Sequence, residues 1–354
     1  VSVLASPARA QADRASSRLA GLEALRGLAA SAVVVFHAAR HVDKVYGAPR
    51  LAAFFRPGHA GVDLFFVISG FIILFVHRND IGRPGRLTHY LGRRVTRVIP
   101  LYWVALGLTV AMGIAGGQHG LDPARLAWSA TLLPTQSAPL LGIAWTLQFE
   151  IVFYAAFAVL ILDRRAGAAV LGLWLAAMTA TALGFGAPGV PQPLCGTFGF
   201  EFFMGMAAAQ LLHRGLVPAP VRIAALGACL FCLSMLADGQ GWLVGETLPA
   251  RFAYGLPAAL LLAGLAGCER SGALAIPAWL RTLGGASYSI YLFQFVFIGA
   301  VWQAVHLSGL SFRGSSVAFA LGLAGIAIAG GVVVSRLVER PLLNAMRRKK
   351  AALA

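Results

Sequence analysis

Ten stretches of this sequence are apolar for long enough to cross a lipid bilayer: 27–40, 61–77, 98–117, 142–162, 166–186, 196–213, 221–238, 252–267, 286–305 and 316–338. A hydrocarbon core about 30 Å thick asks for roughly 20 predominantly apolar residues per helix, and the first two stretches are the shortest fits to that demand. A further stretch near 126–141 is interrupted by Pro134 and Pro139 and reads as an interfacial or re-entrant piece. The expectation is an all-α integral membrane protein, a bundle of about ten transmembrane helices. Composition agrees, because 58% of the residues are hydrophobic and only 12% charged, against about 25% charged in soluble domains. An ordinary soluble domain is excluded.

Charge placement sets an orientation. Of the 29 Lys and Arg, 22 fall on one set of loops and ends, and seven (Arg40, Lys44, Arg50, Arg56, Arg125, Arg251, Arg313) fall in the alternate loops. The positive-inside rule then predicts both termini in the cytoplasm. A basic inner rim facing anionic headgroups also accounts for the net charge of +16 without nucleic acid as a partner. Residues 1–20, small, polar and basic, read as a disordered cytoplasmic tail with no apolar signal region. Residues 21–343 form one transmembrane domain, and 344–354 a basic cytoplasmic tail. The four cysteines stand at no zinc-like spacing and read as structural thiols, and no histidine pair argues for a metal or haem.

Ionisable residues inside the spans are the candidates for chemistry, since each costs about 2.5–3.5 kcal/mol on insertion scales for charged types. Arg26 and His37 lie eleven residues apart on the first span. Eleven steps of about 100° return to nearly the same helix face, roughly 16 Å further along. One cation therefore belongs at a membrane edge and one imidazole near mid-depth. Arg94 and Arg97, three apart in GRRVTRVIPLYW with Arg93 alongside, can offer two guanidinium forks to one phosphate, or can simply snorkel. With Arg26 at the same depth, four arginines could converge on a polyanion whose tail reaches toward His37, the shape of coenzyme A. Glu150, about eight residues into the fourth span, reads either as a structural partner of His37 or an arginine, or as the carboxylate that orients the imidazole. Asp63 reads as a helix N-terminal acid or a lesser candidate for that orienting role, Ser69 and Gly70 as packing residues, and Glu201 as a second deep carboxylate. The remaining histidines fall near span ends or loops, where solvated roles are the default.

The residues Arg26-x10-His37 within LEALRGLAASAVVVFH, the GVDLFFVISGF run, Arg94-x2-Arg97 before IPLYW, the WTLQFEIVFY block, SYSIYLFQF and the closing VERPL together resemble the integral-membrane acyltransferase type 3 family. The resemblance runs from about Leu22 to Leu342. It implies transfer of an acyl group, often acetyl, from cytoplasmic acyl-CoA to sugars or other acceptors at or beyond the membrane. It further implies His37 as the catalytic residue, Arg26 as its companion, Arg94 and Arg97 as donor-binding arginines, and Glu150 as the acid of the tryptophan-to-glutamate block. Two departures stand out: Gln294 where relatives often carry histidine, and Glu23 in place of a frequent aspartate. Some relatives add an esterase-like domain after the last span. This sequence ends shortly after Lys350, which implies work alone or with a separate partner.

The expected mechanism places acyl-CoA, most simply acetyl-CoA, with its phosphates on Arg93, Arg94, Arg97 and Arg26. An acceptor hydroxyl of a glycan or lipid-linked saccharide approaches from the other side, and His37 either deprotonates it or carries the acyl group. No metal is called for. The expected location is the bacterial inner membrane. A second class uses the same residues differently: a proton-coupled transporter or flippase, with His37, Glu150 and Glu201 as a relay. A purely structural subunit would leave these intramembrane charges without purpose.

Overall fold

The computed structural model describes residues 19–117, 122–243, 245, 247–272, 274–308 and 315–352, without the side chains of 349–352. Residues 1–18, His119 and Arg313, for which the sequence suggested a tail and loop positions, lie outside the described residues. Every regular element among the described residues is helical. Ten helices coincide with the ten apolar stretches: α1 (Ala20–Tyr46), α2 (Gly61–His77), α3 (Leu87–Ala115), α4 (Trp145–Leu162), α5 (Arg164–Ala182), α6 (Gly199–His213), α7 (Pro220–Gly239), α8 (Leu248–Arg270), α9 (Ala278–Leu307) and α10 (Ser316–Val334). A π-helical turn, Ser335–Glu339, carries α10 into α11 (Arg340–Ala352), so residues given to the basic tail are helical here. The protein is an all-α integral membrane protein.

Boundaries move where sequence contrast is weak. The first span reaches from Ala20 to Tyr46 rather than 27 to 40, because charged residues near its ends such as Glu23, Arg40 and Lys44 sit on exposed positions without breaking the backbone. It stops where Gly47 adopts φ 67° and donates to Asp43 O, just ahead of Pro49. Among the described residues nine helical runs are long and apolar enough to cross a membrane, α2 counting together with its flanking turns as Pro49–Asp80, and α6 is not one of them. Its 15 residues follow a turn rich in proline and glycine, and give roughly 22 Å of rise. α6 is instead enclosed by its neighbours. A methyl on Gly70 of α2 would meet Phe202 O at 2.0 Å, and one on Gly205 of α6 would meet Val67 O at 2.0 Å. Two glycines placed reciprocally thus let α2 and α6 touch backbone to backbone. Gly27 and Gly284 do the same for α1 and α9, a methyl on Gly284 meeting Glu23 O at 2.2 Å.

Successive helices alternate in direction, which collects the arginine-rich turns at one end. Gly82 there donates to Leu160 O at 3.1 Å, Arg270 Nη1 to Leu212 O at 3.1 Å, and the Glu269 carboxylate takes the Gly21 N–H at the start of α1. Residues 19 and 352 both lie at this basic end. α1 runs through the middle of the bundle, packed on α2, α9 and α10. The segment near 126–141 forms a short helix, Pro123–Thr131, followed by an irregular return to α4. It runs beside α3, where Ser129 O and Ala130 O accept from Tyr102 and Trp103, residues in the middle of that long helix.

Candidate active site

His37 lies on α1, half-buried between Phe36 and Phe295, whose ring centres are 4.9 and 4.7 Å from its own. Its Nδ1 is 2.9 Å from Gln294 Oε1 of α9. The amide's Nε2 donates to Tyr291 O at 2.8 Å, so its oxygen is the atom turned to the imidazole and can only accept. His37 therefore holds its proton on Nδ1 when neutral, and the lone pair is on Nε2. Tyr291 continues the chain of contacts, its hydroxyl 3.0 Å from Thr146 Oγ1 at the start of α4. The SYSIYLFQF and WTLQFEIVFY blocks, distant in sequence, thus meet behind one imidazole. Glu150 is not its partner. Gln294, noted from sequence only as a departure from a frequent histidine, occupies that place.

Glu150 serves the arginines instead. Its Oε1 accepts from Ser69 Oγ at 3.1 Å and from the Tyr154 hydroxyl one turn further along α4. Ser69, assigned from sequence to packing, is thus a hydrogen-bond donor to this carboxylate. Arg26 is close enough to Arg97, Glu150, Tyr154 and Glu23 to interact with each electrostatically. Arg94 is buried at 9% exposure, its guanidinium 5.6 Å from the Tyr154 ring and 5.7 Å from the Tyr90 ring. Its Nη2 donates to His77 Nε2 at 3.0 Å, and His77 Nδ1 donates to Asp80 at 2.8 Å. A residue expected to be solvated is thereby fully enclosed and fixes a guanidinium. Tyr288 holds α3 to α9 beside this group by donating to Val98 O at 2.9 Å. Arg93 stands exposed on the outer side of the same turn. Arg26, Arg94 and Arg97 are gathered around Tyr154, toward the basic end from His37, and His77 orients Arg94.

Asp63 belongs to a different group. It is fully buried and ion-paired to Arg251 of α8, which also reaches Glu201 at 3.4 Å and Gly245 O at 2.9 Å. Arg251, assigned from sequence to a loop, is the largest fully buried side chain of the bundle among the described residues. His59, between these elements, is 2.9 Å from Asp238 and 3.9 Å from Asp63, and Arg56 pairs with Asp238 at 2.9 Å. This network ties α2, α6, α7 and α8 together. It places neither Asp63 nor Glu201 on the His37 imidazole, so the expected alternative orienting acid is engaged elsewhere. At the far end of the chain Glu339 of the VERPL motif accepts from Ser289 at 2.6 Å and Ser335 at 2.8 Å, which explains why the π turn closes onto α9.

The motif-bearing residues that meet in space come from α1, α2, α3, α4 and α9, which is the order in which the motifs run. The family model described as an acyltransferase domain matches residues 19–336, nearly all of the chain. The chain belongs to the acyltransferase type 3 family. It is 33% identical over 317 residues to the exopolysaccharide production protein ExoZ of Rhizobium meliloti (strain 1021), a match covering 86% of this chain and 96% of that protein. No solved structure matches. Family membership makes this multi-pass membrane protein an acyltransferase, as the sequence motifs implied.

Proposed function

We propose that this acyltransferase moves an acyl group, most simply acetyl, from acyl-CoA at the basic, cytoplasmic end to a hydroxyl of an extracytoplasmic or lipid-linked glycan. The observation that carries the reading is the pairing of His37, on the helix that also bears Arg26, with Gln294 of α9. A lone pair is thereby directed at a fixed distance from an arginine group. In this reading the CoA phosphates rest on Arg26, Arg94 and Arg97, with Arg93 at the mouth. The Glu150 charge offsets the repulsion between Arg26 and Arg97, and His77 aims Arg94, because unpaired like charges in a low-dielectric interior repel. The relative's name, an exopolysaccharide production protein, supports a polysaccharide acceptor, and the positive-inside bias supports the inner membrane with both termini cytoplasmic.

The chemistry then balances on one imidazole. Nε2 takes the proton of the acceptor hydroxyl as its oxygen bonds to the thioester carbonyl carbon. The tetrahedral intermediate collapses with cleavage of the carbon–sulfur bond, and the CoA thiolate takes the proton back from Nε2. Free CoA thiol and the ester leave on opposite sides, and neither reactant has crossed the membrane. The test is thiol release from acetyl-CoA by the purified chain in lipid, with and without glycan, for wild type and His37→Ala. Glycan-stimulated release that His37→Ala abolishes is the expected result. Undiminished release by a folded His37→Ala would overturn the role of His37. Transmembrane proton or saccharide movement without thiol release would favour a transporter.

A further inference from the structure

The short helix Pro123–Thr131 and its return segment enclose a cleft of about 290 Å³ that the reaction as described leaves unused. Its walls carry Asp122, Arg125, Trp128, Thr135, Ser137 and Gln148. The cleft lies beside the C-terminal half of α3, away from the arginine-bearing first turns of that helix, and near the small limit of ligand sites, about 300–1,000 Å³.

Three of the polar wall residues each use one bond to fix the loop. Asp122 Oδ1 caps the helix at Ala124 N (2.9 Å), Arg125 Nη2 donates to Ala138 O (3.1 Å), and Gln148 Nε2 donates to Leu133 O (2.9 Å). Asp122 Oδ2, Gln148 Oε1 and the other Arg125 N–H groups make no further hydrogen bond among the described residues. Gln148 is itself 4% exposed, a built-in amide rather than a surface one, while Trp128 stays 55% exposed. Donors and acceptors of both signs beside an open indole face suit a neutral polyol with an apolar C–H face. Such a ligand stacks on the ring and fills the hydrogen bonds. A phosphate would meet the Asp122 carboxylate, and an acyl chain would leave the polar wall unpaired. The segment that lines the cleft is joined directly to the packing around His37. It continues to Gly142, where a methyl would lie 3.8 Å from Phe295, the ring packed on His37.

We infer that this cleft binds a sugar unit of the glycan acceptor, with Trp128 as the stacking platform and Arg125, Asp122 and Gln148 as the hydroxyl partners. The inference rests on the acyltransferase reading above and adds the place where the acceptor is held. The test uses the full chain in nanodiscs, acetyl-CoA, and oligosaccharides released from de-O-acylated exopolysaccharide of Rhizobium meliloti as the acceptor probe. Saturation-transfer NMR reads saccharide binding without donor, and thiol release reads transfer. Trp128→Ala and Arg125→Gln are expected to weaken saccharide binding and raise the acceptor KM at least tenfold, with the acetyl-CoA KM moving less than twofold. Trp128→Phe, which keeps a ring, is expected to recover most of the binding. Unchanged saccharide binding in both variants overturns the site, whether or not their thermal stability falls as for a mere interfacial anchor. Failure of the wild-type chain to bind the probe overturns it as well. Binding that the variants lose, without any thiol release, supports the cleft while refuting acetyl-CoA as the donor in the reading above.

Discussion

The His37–Gln294 contact is where a single atom decides the chemistry. With Nδ1–H donated to an amide oxygen, the imidazole keeps one tautomer without gaining a formal counter-charge. Replacing His37 with Ala should therefore lower transfer about 10²–10⁴-fold, the range of a general base, while insertion and folding persist by gel filtration and circular dichroism. Gln294→Glu makes a sharper test. A carboxylate on Nδ1 favours the imidazolium, the imidazole pKa rises, and the neutral base is then present only at higher pH. The acid limb of the kcat profile should move upward in pH, and an unmoved limb would show that the ring does not act as a base. His77→Ala should act at the other end. It frees Arg94 from its only side-chain hydrogen-bond partner among the described residues and should raise the acyl-CoA KM about tenfold, the effect of losing one oriented charge-assisted contact of roughly 1.5 kcal/mol. From sequence, Arg26 and His37 were legible because intramembrane charge is costly. The partners were not, because Gln294, His77 and Ser69 have unremarkable spacing and are brought to their sites by other helices. Tyr154 could have been found, standing one turn after Glu150 on the same face.

Helix against helix, small residues and buried charges divide the work. The reciprocal glycines Gly70 and Gly205 leave no room for a side chain, so Gly70→Val should force α2 from α6. It should lower the yield of monodisperse protein and the detergent melting temperature, more than Gly322→Val, where a methyl meets nothing within 4 Å. The Asp63–Arg251–Glu201 group is the electrostatic counterpart. Arg251→Met strands two carboxylates in the interior, a loss of about 3–5 kcal/mol by analogy with broken buried pairs. Adding Asp63→Asn and Glu201→Gln should restore part of that stability. No gain on adding them would show that the network is not the source of the loss. The ten helices themselves were legible from apolar length, including their order. The failure of α6 to reach full span length was less so, since a window of hydropathy does not register that neighbouring backbones shield it.

Across the whole molecule the ten helices return the chain to the side from which the described residues begin, and the arginines gather there. Cysteine substitutions on a chain otherwise cleared of Cys195, Cys229, Cys232 and Cys268 turn this into a measurement. Asn79→Cys should react with a membrane-impermeant maleimide only after the inner membrane is opened, and Ser137→Cys in intact spheroplasts; the reverse pattern would invert the proposed direction of transfer. α1 itself carries a final implication. Arginine anchor and imidazole ride on one unbroken helix, with no loop between them to absorb a change of length. Inserting one residue between them would turn the histidine by about 100° and shift it by about 1.5 Å. That segment works as a ruler, its length closed to insertion or deletion.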